Sequence, residues 1–372
     1  MFKLIAEDTG ARTGELKTAH GTITTPAFMP VATKATVKTL TSEELKKTQT
    51  DTIIANAFHL YITALEAIRD AEGLHNFMNW KEKIFTDSGG FQIIRKDFKF
   101  KITENGIEYT DPKNGNKQTY TPELCMQIQD DLGSDVAMVL DHCPSYNATP
   151  DEVREATNRT TRWAQRSKES HNKRKQQQLF AIIQGGTNQK LREKNTRELT
   201  EIGFDGYAIG GLSIGETKEL MQQTLNYTTP LLPCEKPRYL MGVGSTRELL
   251  NAISTGIDIF DSTYPTRNAR HASITTNKGR INIMRRKYEH DHTPLEENCN
   301  CYTCQHYTRA YIHHLFRQKE LLAQRLATIH NIHHTQKLIH KIQTTIKEGW
   351  FEKFKEEMKV YDVYISKKLI RS

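Results

Sequence analysis

Cys299, Cys301 and Cys304 form a C-x-C-x2-C cluster, and His330 follows further along the chain. Together they make a Cys3His set, a usual ligand set for structural zinc. His306, His333 and His334 are near enough in sequence to compete for the fourth place, and three free thiols in a loop are the plain alternative. Thiols crowded so closely make awkward disulfide partners. A closed zinc site braces a fold and leaves the chemistry to other residues. Here those residues are isolated polar groups that end apolar runs: Asp87, Asp141, Gln184 and Asp261, with Gly211 and Met241 in the same kind of place. Two carboxylates facing across a shared mouth suit a double displacement at a sugar carbon. One attacks C1′ and the other moves protons on the leaving and entering groups. Taken singly, each Asp could instead be a helix N-cap after its strand.

Asp87 lies in Thr86-Asp87-Ser88-Gly89-Gly90-Phe91-Gln92, where the glycines let backbone N–H groups approach a ligand closely. Asp141, Gln184 and Gly211 offer donors and acceptors suited to a heterocycle's edge, and Phe91 and Met241 could stack on its faces. Edge hydrogen bonds plus stacking are how a flipped-out base is read; alone, Phe91 and Met241 read as core residues. After Asp261 come Arg267, Arg270, His271, Lys278, Arg280, Arg285, Arg286 and Lys287. A basic run is commonly a solvated face. Its place between Asp261 and the cysteines favours phosphate contacts that lead a polyanion to the site.

These residues need a scaffold that brings strand ends together. Thr52–Asn56, Lys83–Thr86, Val136–Leu140, Leu179–Ile183, Gly206–Ile209, Arg238–Met241 and Ile257–Phe260 read as strands, with helical patterns between them, including one from about Thr149 to Lys175. Strand–helix alternation implies parallel βαβ units. Roughly eight units in 372 residues favour a TIM barrel. A doubly wound nucleotide fold would need an early G-x-G-x-x-G, which is absent. Residues 99–120 alternate in hydrophobicity around Asn105-Gly106 and Asn114-Gly115, the pattern of a small antiparallel insertion. Thr121-Pro122 then opens a helix with an N-cap and a first-turn proline. The barrel is expected over residues 1–290, and a zinc-binding subdomain with C-terminal helices over 291–372. Barrel enzymes act at the C-terminal strand ends. Those ends carry no histidine cluster, which argues against a metal-dependent barrel hydrolase.

The chain is polar, with 37% hydrophobic residues and a mean hydropathy of −0.65, yet long enough to bury a core. No run approaches a membrane span, and Met1–Asp8 has no signal-like apolar stretch, so a cytoplasmic protein is expected. A net charge of +8 suggests a polyanionic partner. Most of the 15 histidines read as surface residues. Ile342, Ile346, Trp350, Phe351, Phe354 and Met358 form an amphipathic C-terminal pattern expected to pack on the barrel.

Over nearly the whole chain these residues resemble tRNA-guanine transglycosylase of the bacterial type. The markers are T-D-S-G-G-F-Q from Thr86, Q-G-G from Gln184, G-G-L-S-I-G-E from Gly210, Y-L-M-G-V-G from Tyr239, F-D-S-T-Y-P-T-R-N-A-R from Phe260, and C-x-C-Y-T-C with its distal histidine. The resemblance implies a TIM barrel with a zinc subdomain and exchange of guanine at the tRNA wobble position for a 7-deazaguanine. It implies Asp261 as the nucleophile at C1′, giving a covalent RNA–enzyme intermediate, and Asp87 as general acid/base. Asp141 would bind the pyrimidine edge, with Gln184 and the Gly211 N–H at the base's carbonyl oxygen. Leu212, Cys143 and Ile214 would lie near the 7-substituent, with Ser88 in the same binding set. Phe91 and Met241 would stack, and Arg267, Arg270, Arg285 and Arg286 would contact the anticodon loop. Cys299, Cys301, Cys304 and His330 would hold one structural Zn2+, in a homodimer formed through the zinc subdomain. Bulky Ile214 favours the small base preQ1 over queuine. The chain departs from the usual bacterial pattern at Ile93–Lys96, at Ser262–Tyr264 and at Asn56–Leu60. Rival readings are a noncatalytic tRNA-binding accessory subunit, a queuine-specific or DNA-directed transglycosylase, and a nucleoside hydrolase in which water takes the second step.

Overall fold

A computed structural model of the chain describes residues 1–95, 100–171 and 177–358. Eight parallel strands form the centre: Ala27–Pro30, Thr52–Asn56, Lys83–Asp87, Val136–Met138, Gln178–Ile183, Gly206–Ile209, Arg238–Leu240 and Ile259–Ser262. From the second strand onward each pairs with the next in chain order, and the last pairs with the first. A bridge between Val31 and Ile54, with the Ala32 N–H donating to the Ile54 carbonyl at 2.7 Å, closes the ring. The expected α/β barrel is therefore the fold.

Its strands are buried on both faces, so they read as near-continuous apolar runs. Phe85, Phe180 and Tyr239, from the third, fifth and seventh strands, meet edge to face with centroids 5.7 and 6.2 Å apart. Alternate strands filling one layer is the packing rule of such barrels. This layer matters to function because the Tyr239 hydroxyl rises from it to the mouth.

Several boundaries differ from expectation. The strand Val136–Met138 ends two residues early, although the Val139 N–H still reaches the Phe180 carbonyl at 3.1 Å. The seventh strand stops at Leu240, which leaves Met241 on the rim. The eighth begins at Ile259 and runs through Asp261 to Ser262, pairing Asp261 with Met29. The first strand, Ala27–Pro30, was not expected: it is short and flanked by Pro26 and Pro30, which normally demote a strand. The helix capped by Thr149, with its reciprocal Glu152 contact, spans Pro150–Ser170, and Lys175 lies outside the described residues.

Three antiparallel strands, Phe2–Asp8, Ala11–Thr18 and Gly21–Thr24, precede the barrel and were also not expected. They seal its N-terminal end through Arg12 on Asp258 and His20 on Asp135. The expected insertion is a three-stranded sheet of Phe100–Ile102, Ile107–Thr110 and Lys117–Tyr120. Thr121 caps the next helix, Pro122–Leu132, as its sequence predicts. Tyr120 donates to the Ser88 carbonyl at 2.7 Å, so the insertion braces the loop that follows Asp87.

A smaller apolar cluster, including Ile274, Ile283, Leu295, Ile312 and Leu326, lies beside the main core. The helix Leu321–Lys347 joins both: Ala323, Leu326 and Ala327 pack in the small cluster, Ile329 to Ile346 in the large one. Its amides reach the barrel directly, with Gln336 on the Phe28 carbonyl at 3.0 Å and Gln343 on the Pro26 carbonyl at 2.8 Å. The C-terminal apolar pattern packs on the barrel, broken at Gly349, where φ is +74°. Most of the histidines are exposed or half-buried, as expected, but His59, His75, His313, His330, His333 and His334 are buried, the last three because the long helix that carries them is covered on nearly every side.

Candidate active site

The strand ends converge on one pocket at the C-terminal mouth. Asp87, Phe91, Asp141, Cys143, Gln184, Gly211, Leu212, Ile214, Met241 and Asp261 line it. Of the expected substrate residues only Ser88 stands behind the wall, buried, with its carbonyl taken by Tyr120.

Asp261 is half-buried. Its Oδ1 accepts from the Tyr239 hydroxyl at 2.6 Å and the Gly242 N–H at 2.9 Å, while Oδ2 takes no donor among the described residues. One oxygen is thus anchored and the other is open to the pocket. Burial raises this carboxyl, and the two hydrogen bonds oppose the rise. Asp87 accepts on Oδ2 from Gln92 at 3.1 Å and Asn56 at 3.3 Å. Burial, reinforced by the nearby Asp261 charge, pushes its carboxyl up to about 6. Asp141 is pushed to about 7, first by burial and also by Asp87, against the Gln184 amide that donates to its Oδ2 at 2.6 Å. A carboxyl poised near neutrality can give and take a proton.

Gln184 is fully buried, and its Oε1 has no partner among the described residues. Gly211 sits at φ +67°, and a Cβ there would meet that Oε1 at 2.5 Å, so only glycine fits. Gly89, at φ +85°, is required by backbone-close packing: its Cβ would fall 2.3 Å from the Phe58 Cβ. Glu216 accepts from the Ser213 N–H and, at 3.1 Å, from the Ile214 N–H, which fixes the loop beside Leu212.

Tyr239, Asn56, Gln92 and Glu216 support the site but were not singled out from sequence. Asn56 had a usable signal. It ends the second barrel strand and pairs in register with Asp87, the same polar-end pattern that marked the aspartates. Tyr239 had none, since a tyrosine inside an apolar strand reads as core.

Beyond the eighth strand, Arg267 and Arg285 are exposed and Arg270 half-buried, without carboxylate partners among the described residues. Arg286 is exposed, 3.8 Å from Glu289. Arg280 stacks over Tyr264. The face is an open cationic rim contiguous with the Asp261 helix, Tyr264–Arg270.

The four expected metal ligands come together. His330 Nδ1 lies 3.8, 3.6 and 3.3 Å from the sulfurs of Cys299, Cys301 and Cys304. A zinc tetrahedron with Zn–S of about 2.3 Å and Zn–N of about 2.0 Å has S···N edges of about 3.6 Å. His330 Nε2 donates to the Thr275 carbonyl at 2.8 Å, which leaves Nδ1 free to ligate. The competitors drop out: His333 and His334 bond Asn300 and Asn277, and His306 is exposed. The residues therefore fit a structural zinc. A second group, His20, His75 and Asp135, is also close enough for a metal. Its imidazoles are stacked at 3.7 Å, and one ion cannot lie in both ring planes. His75 Nε2 faces two acceptors, the Glu82 carbonyl and Asp135, and so carries a proton.

Residues 7–361 match the family described as queuine tRNA-ribosyltransferase. The chain belongs to this family. It is 46% identical over 352 residues to the queuine tRNA-ribosyltransferase of Lysinibacillus sphaericus, covering 94% of this chain and 92% of that one. With the Pelotomaculum thermopropionicum protein of the same name it shares 48% over 352 residues, 94% and 95% of the two chains. A Listeria monocytogenes relative, again so named, is 46% identical over 359 residues, 96% and 95% of the chains. Membership in the queuine tRNA-ribosyltransferase family makes the chain an enzyme of the pentosyltransferase class. No helix among the described residues is long and apolar enough to cross a membrane.

Proposed function

We propose that the protein exchanges guanine at the wobble position of G-U-N anticodon tRNAs for a 7-deazaguanine, through a covalent link between Asp261 and the RNA. The observation that carries this reading is the unequal pair of carboxylates at one mouth: Asp261 anchored through Oδ1 alone, and Asp87 raised to about 6. In the proposed first step an Asp261 oxygen bonds to C1′ and the C1′–N9 pair leaves with guanine, which takes the Asp87 proton. In the second, the incoming base gives its N9 proton to Asp87 and attacks C1′, expelling Asp261. Two inversions retain the β configuration. Asp141, Gln184 and Gly211 read the base edge, and Phe91 and Met241 cover its faces. Arg267, Arg270, Arg285 and Arg286 hold the anticodon-loop phosphates. Since its substrate is tRNA, we assign the enzyme to the cytoplasm.

The test is labelled-guanine incorporation into such a tRNA, chased with unlabelled preQ1 or queuine, in wild type and Asp261→Asn. Exchange by wild type alone, with an RNA–protein adduct absent from the variant, is expected. A folded, zinc-loaded wild type without exchange would sink the reading in favour of an accessory subunit.

For the incoming base we favour preQ1. Ile214 lines the base pocket and also an adjoining hollow with Tyr146, Val153 and Leu191. Ile214→Gly would join the two spaces and let queuine chase; unchanged queuine kinetics in that variant would count against this. The bound metal we take to be zinc, which braces the Cys299–Cys304 loop against the long helix, and metal analysis should find one per chain. We further propose a homodimer through this region. Tyr302, Tyr311 and Leu321 are exposed there, and Tyr307 stacks on Tyr311 at 5.5 Å. A sedimentation shift to monomer in Tyr311→Arg is expected, and a monomeric wild type would refute it.

A further inference from the structure

Arg192 lies in the first turn of the helix Gln189–Ile202, within a stretch, Lys190-Leu191-Arg192-Glu193-Lys194, that reads as a solvated charged face. It is instead fully buried. Its guanidinium has no carboxylate within ion-pair distance among the described residues. It spends its donors on three backbone carbonyls: Nε on Gly186 at 2.8 Å, Nη1 on Ile183 at 2.8 Å and Nη2 on Gly210 at 2.7 Å. An unpaired buried cation is costly to keep, and a methylene chain would fill the same space at lower cost. The position of the charge therefore calls for a reason.

The three carbonyls belong to the ends of two adjacent barrel strands, Gln178–Ile183 and Gly206–Ile209, and to the loops that carry Gln184 and Gly211. The Gly210 carbonyl and the Gly211 N–H are two ends of one peptide group. That N–H has no acceptor among the described residues, and Gly211 lines the pocket. A cation bound at the oxygen of an amide polarises it and strengthens its N–H as a donor. Arg192 is fully buried and is not among the residues that line the pocket, so it adds positive potential without occupying its space. Its own proton is held less tightly than usual, at about 10, because burial disfavours the charge; it remains a cation at neutral pH.

We propose that Arg192 is a positioning residue for base exchange: it locks and polarises the Gly210–Gly211 peptide so that the Gly211 N–H grips the exocyclic oxygen of a guanine-type base. When the C1′–N9 bond breaks, the electron pair on the base spreads towards that oxygen. A donor strengthened there helps the departing base more than the bound substrate. The inference rests on the functional reading above and adds a residue and a base-specific effect to it.

The test uses the full-length zinc-loaded protein and two bases, guanine and 2-aminopurine, which lacks the exocyclic oxygen. Labelled guanine is bound by equilibrium dialysis and displaced with unlabelled 2-aminopurine, for wild type, Arg192→Gln and Arg192→Lys. The preference for guanine should fall about tenfold in Arg192→Gln and about threefold in Arg192→Lys, mostly through guanine. In single-turnover release from tRNA, the rate should fall further than guanine affinity does. A merely structural role would weaken both bases by one factor, and that result overturns the proposal, as does an unchanged ratio. If Arg192→Gln does not fold, Arg192→Lys alone decides by the same ratio. Wild type that binds no guanine removes the functional reading and this inference together. Wild-type binding with an unaltered ratio in the variants removes this inference alone.

Discussion

The two ends of the barrel use the same residue type to opposite effect. At the C-terminal mouth, Asp87, Asp141 and Asp261 are all raised by burial, two of them to about 6 and 7, and they face a pocket. At the N-terminal end, Asp135 accepts from the His20 N–H, the Ile84 N–H and both stacked imidazoles, which hold its carboxyl down at about 2 against burial. Asp258 is gripped by Arg12 at 2.8 and 3.0 Å and by the Arg238 N–H, which oppose but do not cancel the rise that burial gives its carboxyl. Burial raises a carboxyl, and the donors and cations around it set how far. We propose that one end keeps its carboxylates under-satisfied for a substrate, whereas Asp135 and Asp258 at the other end serve the fold, as expected of the two faces of such barrels.

That contrast can be broken at either end. Asp261→Asn should lower exchange by about 10⁴-fold or more while leaving the melting temperature close to wild type. A variant that keeps even a tenth of the activity would remove Asp261 from the reaction. At the other end, Arg12→Met removes the ion-pair partner of buried Asp258 and should cost about 3 kcal/mol in denaturant unfolding. The protein that remains folded should exchange guanine within about twofold of wild type, because Arg12 lies at the far end of the strands. A loss of turnover without a loss of stability would contradict the division.

Two smaller effects have opposite signs with pH. Asp135 has a folded pKa depressed to about 2, so its contribution is present above the ordinary 3.8 and lost as pH falls through about 2. Asp135→Asn should therefore destabilise by about 2 kcal/mol at pH 7, with the gap closing towards pH 2 in acid melts. Asp141 is raised to about 7, so folding favours its protonated form and it costs stability as pH climbs from 3.8 through 7. Asp141→Asn should gain about 1–2 kcal/mol at pH 8 and nothing at pH 4, while weakening guanine at least tenfold. A variant destabilised at pH 8 would mean that the mouth is built for the fold after all.

Much of the fold was legible because its signals are local. Continuous apolar runs marked the strands from Thr52 onward, and Thr121-Pro122 and Thr149-Pro150 announced helix starts through caps that need only adjacent residues. The strand Ala27–Pro30 was not legible, since its pairing with Ile259–Ser262 is entirely long-range and its prolines argue against a strand. Asp87, Asp141, Gln184 and Asp261 could be read because a polar residue ending an apolar run is unusual in itself. Tyr239 and Arg192 could not: a tyrosine in a strand and an arginine in a charged helix are ordinary until their neighbours are known.

The sequence by itself determined the residue types and their order: carboxylates and glycines at strand ends, three cysteines with a distant histidine, and a basic run between. These are properties of the covalent chain and its short-range conformational preferences. Only the tertiary structure decided which atoms face which. Closing the ring put the strand ends within reach of one pocket, brought Tyr239 under a single oxygen of Asp261, buried Arg192 beneath the Gly210 carbonyl, and selected His330 over its neighbours. Burial and partner count are set by contacts between segments far apart in the chain, and these fix a carboxylate's proton affinity and a cation's reach.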